Sequence, residues 1–197
     1  MLAWVGTGIL RVLRKPAVLI SAAATFVLSF FYGAIEAFMP LLADQLNVRR
    51  FGIGILFAIA GMPSIILPRL AGYLADRFGD ARLLAAGLAY TAALCAVLLP
   101  LVGLLPLWAV FLMIGLVEVA LYIPAVALLN RGMDRDNRIF ATGSHNYAFS
   151  SGFFLGPLIG GLLLPSGGYA LLFATLTAVS VMGLATLLAV RGRLAAS

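Results

Sequence analysis

The chain has 197 residues, 63% of them hydrophobic and 10% charged, with a mean hydropathy of +1.12. A globular core needs a polar shell to cover it, so this balance excludes a water-soluble domain. The net charge of +6 sits at the ends of apolar runs rather than in a basic patch, which excludes nucleic acid as a partner.

Crossing a bilayer takes about 20 apolar residues. The chain divides into six such runs, at 17–42, 52–75, 82–102, 105–130, 139–164 and 168–190. The expected class is an all-α membrane protein with six transmembrane helices in the lipid bilayer. Residues 1–16 would form a cytoplasmic N-terminal segment, 17–190 the transmembrane domain and 191–197 a cytoplasmic tail. In the first segment a short apolar run precedes Arg11, Arg14 and Lys15, the reverse of a secretory signal.

The first span places Ser21, Thr25, Ser29, Tyr32 and Glu36 at steps of four, four, three and four, on one narrow helix face. Such a stripe either bonds to a neighbouring helix or lines a wet cavity. A carboxylate in hydrocarbon persists where a cavity, a partner or a proton-coupled step accommodates it, so Glu36 favours the cavity. The second span carries Arg69, whose head can reach the interface. It ends in the charged turn Gly72-Tyr-Leu-Ala-Asp-Arg-Phe-Gly-Asp-Ala-Arg82, which must lie at the membrane surface.

The third span holds the single cysteine, Cys95, read as a small core residue. On the fourth, Trp108, Phe111, Gly115, Glu118 and Tyr122 share a face, and Glu118 falls near mid-membrane at about 1.5 Å per residue. That face combines a charge with three aromatic rings and suits an amphipathic or mostly apolar solute. Trp108 also fits an interfacial anchor. The fifth span carries His145 about two turns from its cytoplasmic end, beside Thr142, Asn146 and Ser150. A histidine there can relay protons or face interfacial water.

With the N-terminus inside, Arg11, Arg14, Lys15, Arg77, Arg82, Arg131, Arg135, Arg138, Arg191 and Arg193 collect on one face, against Arg49 and Arg50 on the other. The positive-inside rule therefore places both termini in the cytoplasm, and a bacterial inner membrane is expected. A weak internal repeat accompanies this topology. Gly33-Ala-Ile-Glu36 is echoed by Gly115-Leu-Val-Glu118, and Pro68, Gly72, Gly79 by Pro157, Gly161, Gly168 at the same spacings. Inverted three-helix repeats of this kind recur in transporters.

The turn at 72–82, G-x-x-x-D-R-x-G-x-x-R, resembles the signature loop of the major facilitator superfamily, which joins the second and third helices of each six-helix half. The resemblance implies a 3+3 half-bundle in which Gly72 permits close helix contact and Gly79 supplies the turn. Asp76 would face a helix N-terminus of an opposite half, with Arg77 as its charge partner. Asp80 and Ala81 stand where the family has basic residues before Arg82. The run Gly152-Phe-Phe-Leu-Gly156-Pro157-Leu-Ile-Gly160-Gly161 resembles the G-x-x-x-G-P-x-x-G-G motif of exporters and antiporters in the superfamily.

These likenesses cover nearly all of the chain but half of the usual protein, and they favour its C-terminal half. They imply half of a secondary transporter, coupled to protons and exporting a small organic or drug-like solute by alternating access. Glu36, Glu118 and His145 would carry the proton coupling, and Ser29, Tyr32, Phe111, Tyr122 and Asn146 would line the cavity. A second half would come from a homodimer, a separate chain or a longer protein. No cofactor and no metal is called for. Two alternatives are a non-transporting membrane subunit or gene fragment that keeps the fold, and an intramembrane serine protease. The protease would draw on Ser144, His145, Ser150 and Ser151, but Phe149 spoils the expected G-x-S-G and there is no second histidine.

Overall fold

The computed structural model describes residues 15–101, 104–131 and 138–194. Arg11, Arg14 and Arg135 of the basic face lie outside the described residues, as do most of the N-terminal segment and the end of the tail. Every regular element among the described residues is an α-helix: α1 (Pro16–Gln45), α2 (Arg50–Ile66), α3 (Pro68–Phe78), α4 (Asp80–Leu101), α5 (Leu107–Arg131) and α6 (Arg138–Leu194).

Proline and glycine set the boundaries. Pro16 and Pro68 open α1 and α3 at their first helical positions, where a missing N–H costs nothing. The same Pro68 stops α2, so the second expected span is a bent pair, α2 and α3 meeting at 48°. Gly79, at φ 89°, closes α3 in a conformation that favours glycine and lets α4 start at once from Asp80. A carboxylate in the first turn of α4 and Arg131 in the last turn of α5 both complement their helix dipoles.

The six-span expectation meets a different layout here. Among the described residues four helices are long and apolar enough to cross a membrane, and the bent pair makes a fifth. The two spans expected at 139–164 and 168–190 fall within the single 57-residue α6, which is non-helical at Gly168 (φ 60°, ψ −161°). Before that glycine, Gly152, Gly156 and Gly160 lie against Phe26, Phe30 and Phe38 of α1 in rising order. After it, the Tyr169 hydroxyl donates to the Phe38 carbonyl at 3.3 Å and Gly183 faces Val27, in falling order. The limbs 138–167 and 169–194 therefore run in opposite directions along α1.

α1 is the centre of the bundle, packed along α6 and against α5. Phe31, Ile35, Phe111, Leu121 and Phe173 are among its fully buried side chains. Conversely Phe51, Ile65, Ile139, Tyr147 and Leu162 stand exposed. A surface this apolar suits lipid rather than water. Cys95 is fully buried, in keeping with a core role.

Candidate functional site

Three helices each contribute a helical ladder to one cavity of about 510 Å³. Tyr32 and Glu36 stand one turn apart on α1, Glu118 and Tyr122 one turn apart on α5, and His145, Phe149 and Phe153 at successive turns of α6. Asn146 and Leu28 complete the lining. All three residues expected to carry protons thus face one space, with no lysine or arginine among its lining residues.

The polar groups are tied together. The Tyr32 hydroxyl donates to Glu118 Oε2 at 3.4 Å. His145 meets Tyr122 edge-to-face, with ring centroids 6.2 Å apart. Its Nδ1 lies 3.1 Å from Thr25 Oγ1 and 3.4 Å from Ser21 Oγ. Ser21 Oγ in turn donates to the Ala125 carbonyl of α5 at 2.8 Å. His145 is only 7% exposed and forms part of the cavity wall.

Two expected lining residues are placed elsewhere. Ser29 is fully buried, donates to the Phe26 carbonyl at 3.1 Å and packs against Gly152. The polar stripe of α1 is therefore divided: Ser21, Thr25 and Ser29 are inside the bundle, while Tyr32 and Glu36 reach the cavity. Phe111 stands edge-on to Phe57 at 5.1 Å and borders a smaller cavity of about 150 Å³, which Glu36 and Glu118 also line. Trp108 is 58% exposed and outside both. Phe149 and Phe153 join the wall beyond the expected lining residues, and their steps of four from His145 are the pattern in the sequence that places them there.

The glycines of 152–161 make the close approach that brings α6 onto α1. A Cβ at Gly152 or Gly156 would fall on the Phe26 or Phe30 carbonyl, and one at Gly160 on the Phe38 ring. Gly161 has ordinary room, and Pro157 sits over Gly33. This packing sets His145 opposite Thr25.

At the surface turn the charge pairing differs from the expected one. Asp76 is bound by Arg131 from the end of α5, and the same guanidinium lies 3.2 Å from Asp80 Oδ2. Arg77 instead donates to the Tyr73 hydroxyl at 3.4 Å and lies over the Phe78 ring. Adjacent residues on a helix point about 100° apart, so Asp76 and Arg77 cannot face each other directly. Asp80 is a buried member of the network, 6% exposed. Gly72 has open space around it and makes no close helix contact, and Arg82 borders a surface pocket with Arg191.

The sequence profile of the Major Facilitator Superfamily matches residues 21–195. The chain belongs to the Major Facilitator Superfamily. Among curated relatives it is similar to the "MFS-type transporter ppzB" of Metarhizium majus (strain ARSEF 297), 29% identical over 192 residues, which covers 85% of this chain and 41% of the relative. The protein of the same name from Metarhizium rileyi (strain RCEF 4871) is 27% identical over 188 residues, covering 85% and 39%. The chain thus spans about two-fifths of the length of these relatives. Both are fungal, which gives the expected bacterial membrane no support.

Membership of this superfamily makes the chain an integral membrane protein of a transporter family, not an enzyme. Ser144 and Ser151 donate back to the carbonyls of Phe140 and Ala148 on their own helix, and neither is held against His145. Among the described residues no group of three or more His, Cys, Asp or Glu could hold a metal ion.

Proposed function

We propose that this chain is one half of a secondary active transporter that carries a small organic solute by alternating access, coupled to protons and working in efflux. The observation that carries this reading is the convergence of Glu36, Glu118 and His145 on one cavity. Two carboxylates without a neighbouring lysine or arginine accept protons or a cationic group and repel an organic anion. Tyr32, Tyr122, Phe149 and Phe153 supply the apolar and aromatic wall that an amphipathic cation needs.

A 3+3 arrangement of six spans is supported by two matched close approaches. Gly33 of α1 leaves no room for a Cβ against the Phe153 carbonyl of α6, and Gly115 of α5 none against the Ala60 carbonyl of α2. Each glycine stands three residues before its helix's glutamate. The first span therefore uses against the fifth the position that the fourth uses against the second. These contacts align Ala60 with Phe153, whereas the spacing that matched Pro68 to Pro157 aligns Ser64 with it. The two registers differ by one helical turn.

In this reading α6 counts as two spans about Gly168, the basic faces lie in the cytoplasm, and the chain supplies the C-terminal half. The other wall of the cavity comes from a second six-helix half. The test is reconstitution of the assembled transporter with Glu36→Gln or Glu118→Gln. Proton-coupled flux should be lost in each while membrane insertion is retained; unchanged pH-dependent transport in both would sink the reading.

A further inference from the structure

We propose that Thr25 and Ser21 hold neutral His145 in the tautomer that carries its proton on Nε2, making the ring a fixed hydrogen-bond donor in the cavity wall. Ser21 has one hydroxyl proton, and it is committed to the Ala125 carbonyl at 2.8 Å. Ser21 Oγ, 3.4 Å from Nδ1, is therefore not the donor to that nitrogen. Thr25 is fully buried, and its one hydrogen-bond partner among the described residues is His145 Nδ1 at 3.1 Å.

A neutral imidazole has one N–H and one acceptor nitrogen. With the proton on Nδ1, the Thr25 hydroxyl would lose its acceptor in a site sealed from water, which is the costly way to leave a hydrogen bond unmade. With the proton on Nε2, Thr25 donates to Nδ1 and both buried hydroxyls are satisfied.

The remaining nitrogen opens on the cavity. Among the described residues Asp80 Oδ1 is the one buried side-chain polar atom without a partner. His145 Nε2, which has no hydrogen-bond partner among the described residues, is therefore not sealed, and the cavity is the space that the ring lines. The ionisable groups around it are Tyr122 and Glu118 from α5 and Tyr32 and Glu36 from α1, with Asn146 beside it on α6. The wall thus sets one fixed donor among two carboxylate acceptors. It suits a solute that bears an oxygen acceptor, a carbonyl or hydroxyl, close to a cationic or N–H group. This solute chemistry rests on the cavity being the transport site; the tautomer does not.

His145 is the only histidine of the chain, so its ring can be read without assignment. The purified chain, labelled with ¹⁵N-histidine, carrying a tag free of histidine and held in lipid nanodiscs, is examined by long-range ¹H–¹⁵N correlation at mildly alkaline pH. Nδ1 should resonate as an unprotonated, pyridine-type nitrogen and Nε2 as a pyrrole-type one. Thr25→Ser should keep that pattern. Thr25→Val should shift the population toward Nδ1–H, which can then donate to Ser21 Oγ. A pyrrole-type Nδ1 in the unaltered chain overturns the proposal without any variant, and so does a Thr25→Val spectrum identical to it. Neither result depends on flux, so loss of the transport reading and loss of the tautomer are told apart.

Discussion

The Tyr32 hydroxyl on α1 donates to Glu118 Oε2 on α5 over 3.4 Å, linking the two helices that carry the chain's two glutamates. The contact joins α1 to α5 through a cavity-lining pair. Tyr32→Phe keeps the ring and removes the donor. A net hydrogen bond of about 0.5–1.5 kcal/mol predicts roughly a two- to tenfold rise in the half-saturating concentration of a cationic solute. Measured in the assembled transporter, no change would mean that Tyr32 does not set the state of Glu118.

The glycine motif of α6 separates into tight and loose positions, which stability can test. At Gly156 a Cβ would fall on the Phe30 carbonyl, a backbone atom that cannot step aside, whereas Gly161 has only an ordinary contact 3.9 Å away. Gly156→Ala should destabilise the bundle by about 1–3 kcal/mol, the usual cost of overpacking. Gly161→Ala should be neutral or slightly stabilising, because alanine is the better helix former. Thermal unfolding in one detergent compares them, and equal midpoints would contradict the close approach of α6 to α1.

How far the sequence reveals this site follows from what periodicity can and cannot encode. The steps between Ser21 and Glu36 place one polar face on α1, and that face exists. Periodicity does not say what stands opposite each part of it. Gly152 closes over Ser29 and His145 over Thr25, so the lower part is packed and only Tyr32 and Glu36 are left for the cavity. In the same way Asp76 sits beside Arg77 in the chain, but its partner is Arg131, 55 positions away. Phe149 and Phe153 read as ordinary apolar residues until α6 is folded against α1 and α5.

The network at the surface turn has an unequal distribution of burial. Asp80 is 6% exposed, while the Asp76 side chain is 70% exposed, and Arg131 serves both. Removing the guanidinium strands the buried carboxylate, whereas removing Asp76 deletes an exposed and well-solvated partner. Arg131→Met should therefore lower the unfolding midpoint more than Asp76→Asn. Adding Asp80→Asn to Arg131→Met should recover part of the loss. A double-mutant cycle measures that coupling, and strict additivity would remove Arg131 from its role as the bridge.

Because the chain has one cysteine and it is fully buried, water access to the cavity can be mapped without first removing it. A membrane-impermeant maleimide should leave the folded, unaltered chain unlabelled, since a buried apolar thiol is inert. Asn146→Cys places a thiol on the cavity wall at an exposed position and should label readily. Ser29→Cys places one on the same polar stripe as Glu36 but beneath Gly152, where there is no room for reagent. It should stay unlabelled until detergent and heat unfold the bundle. Labelling of Ser29→Cys at the rate of Asn146→Cys would mean that the whole stripe is wet, and that α6 does not close over α1 as it does here.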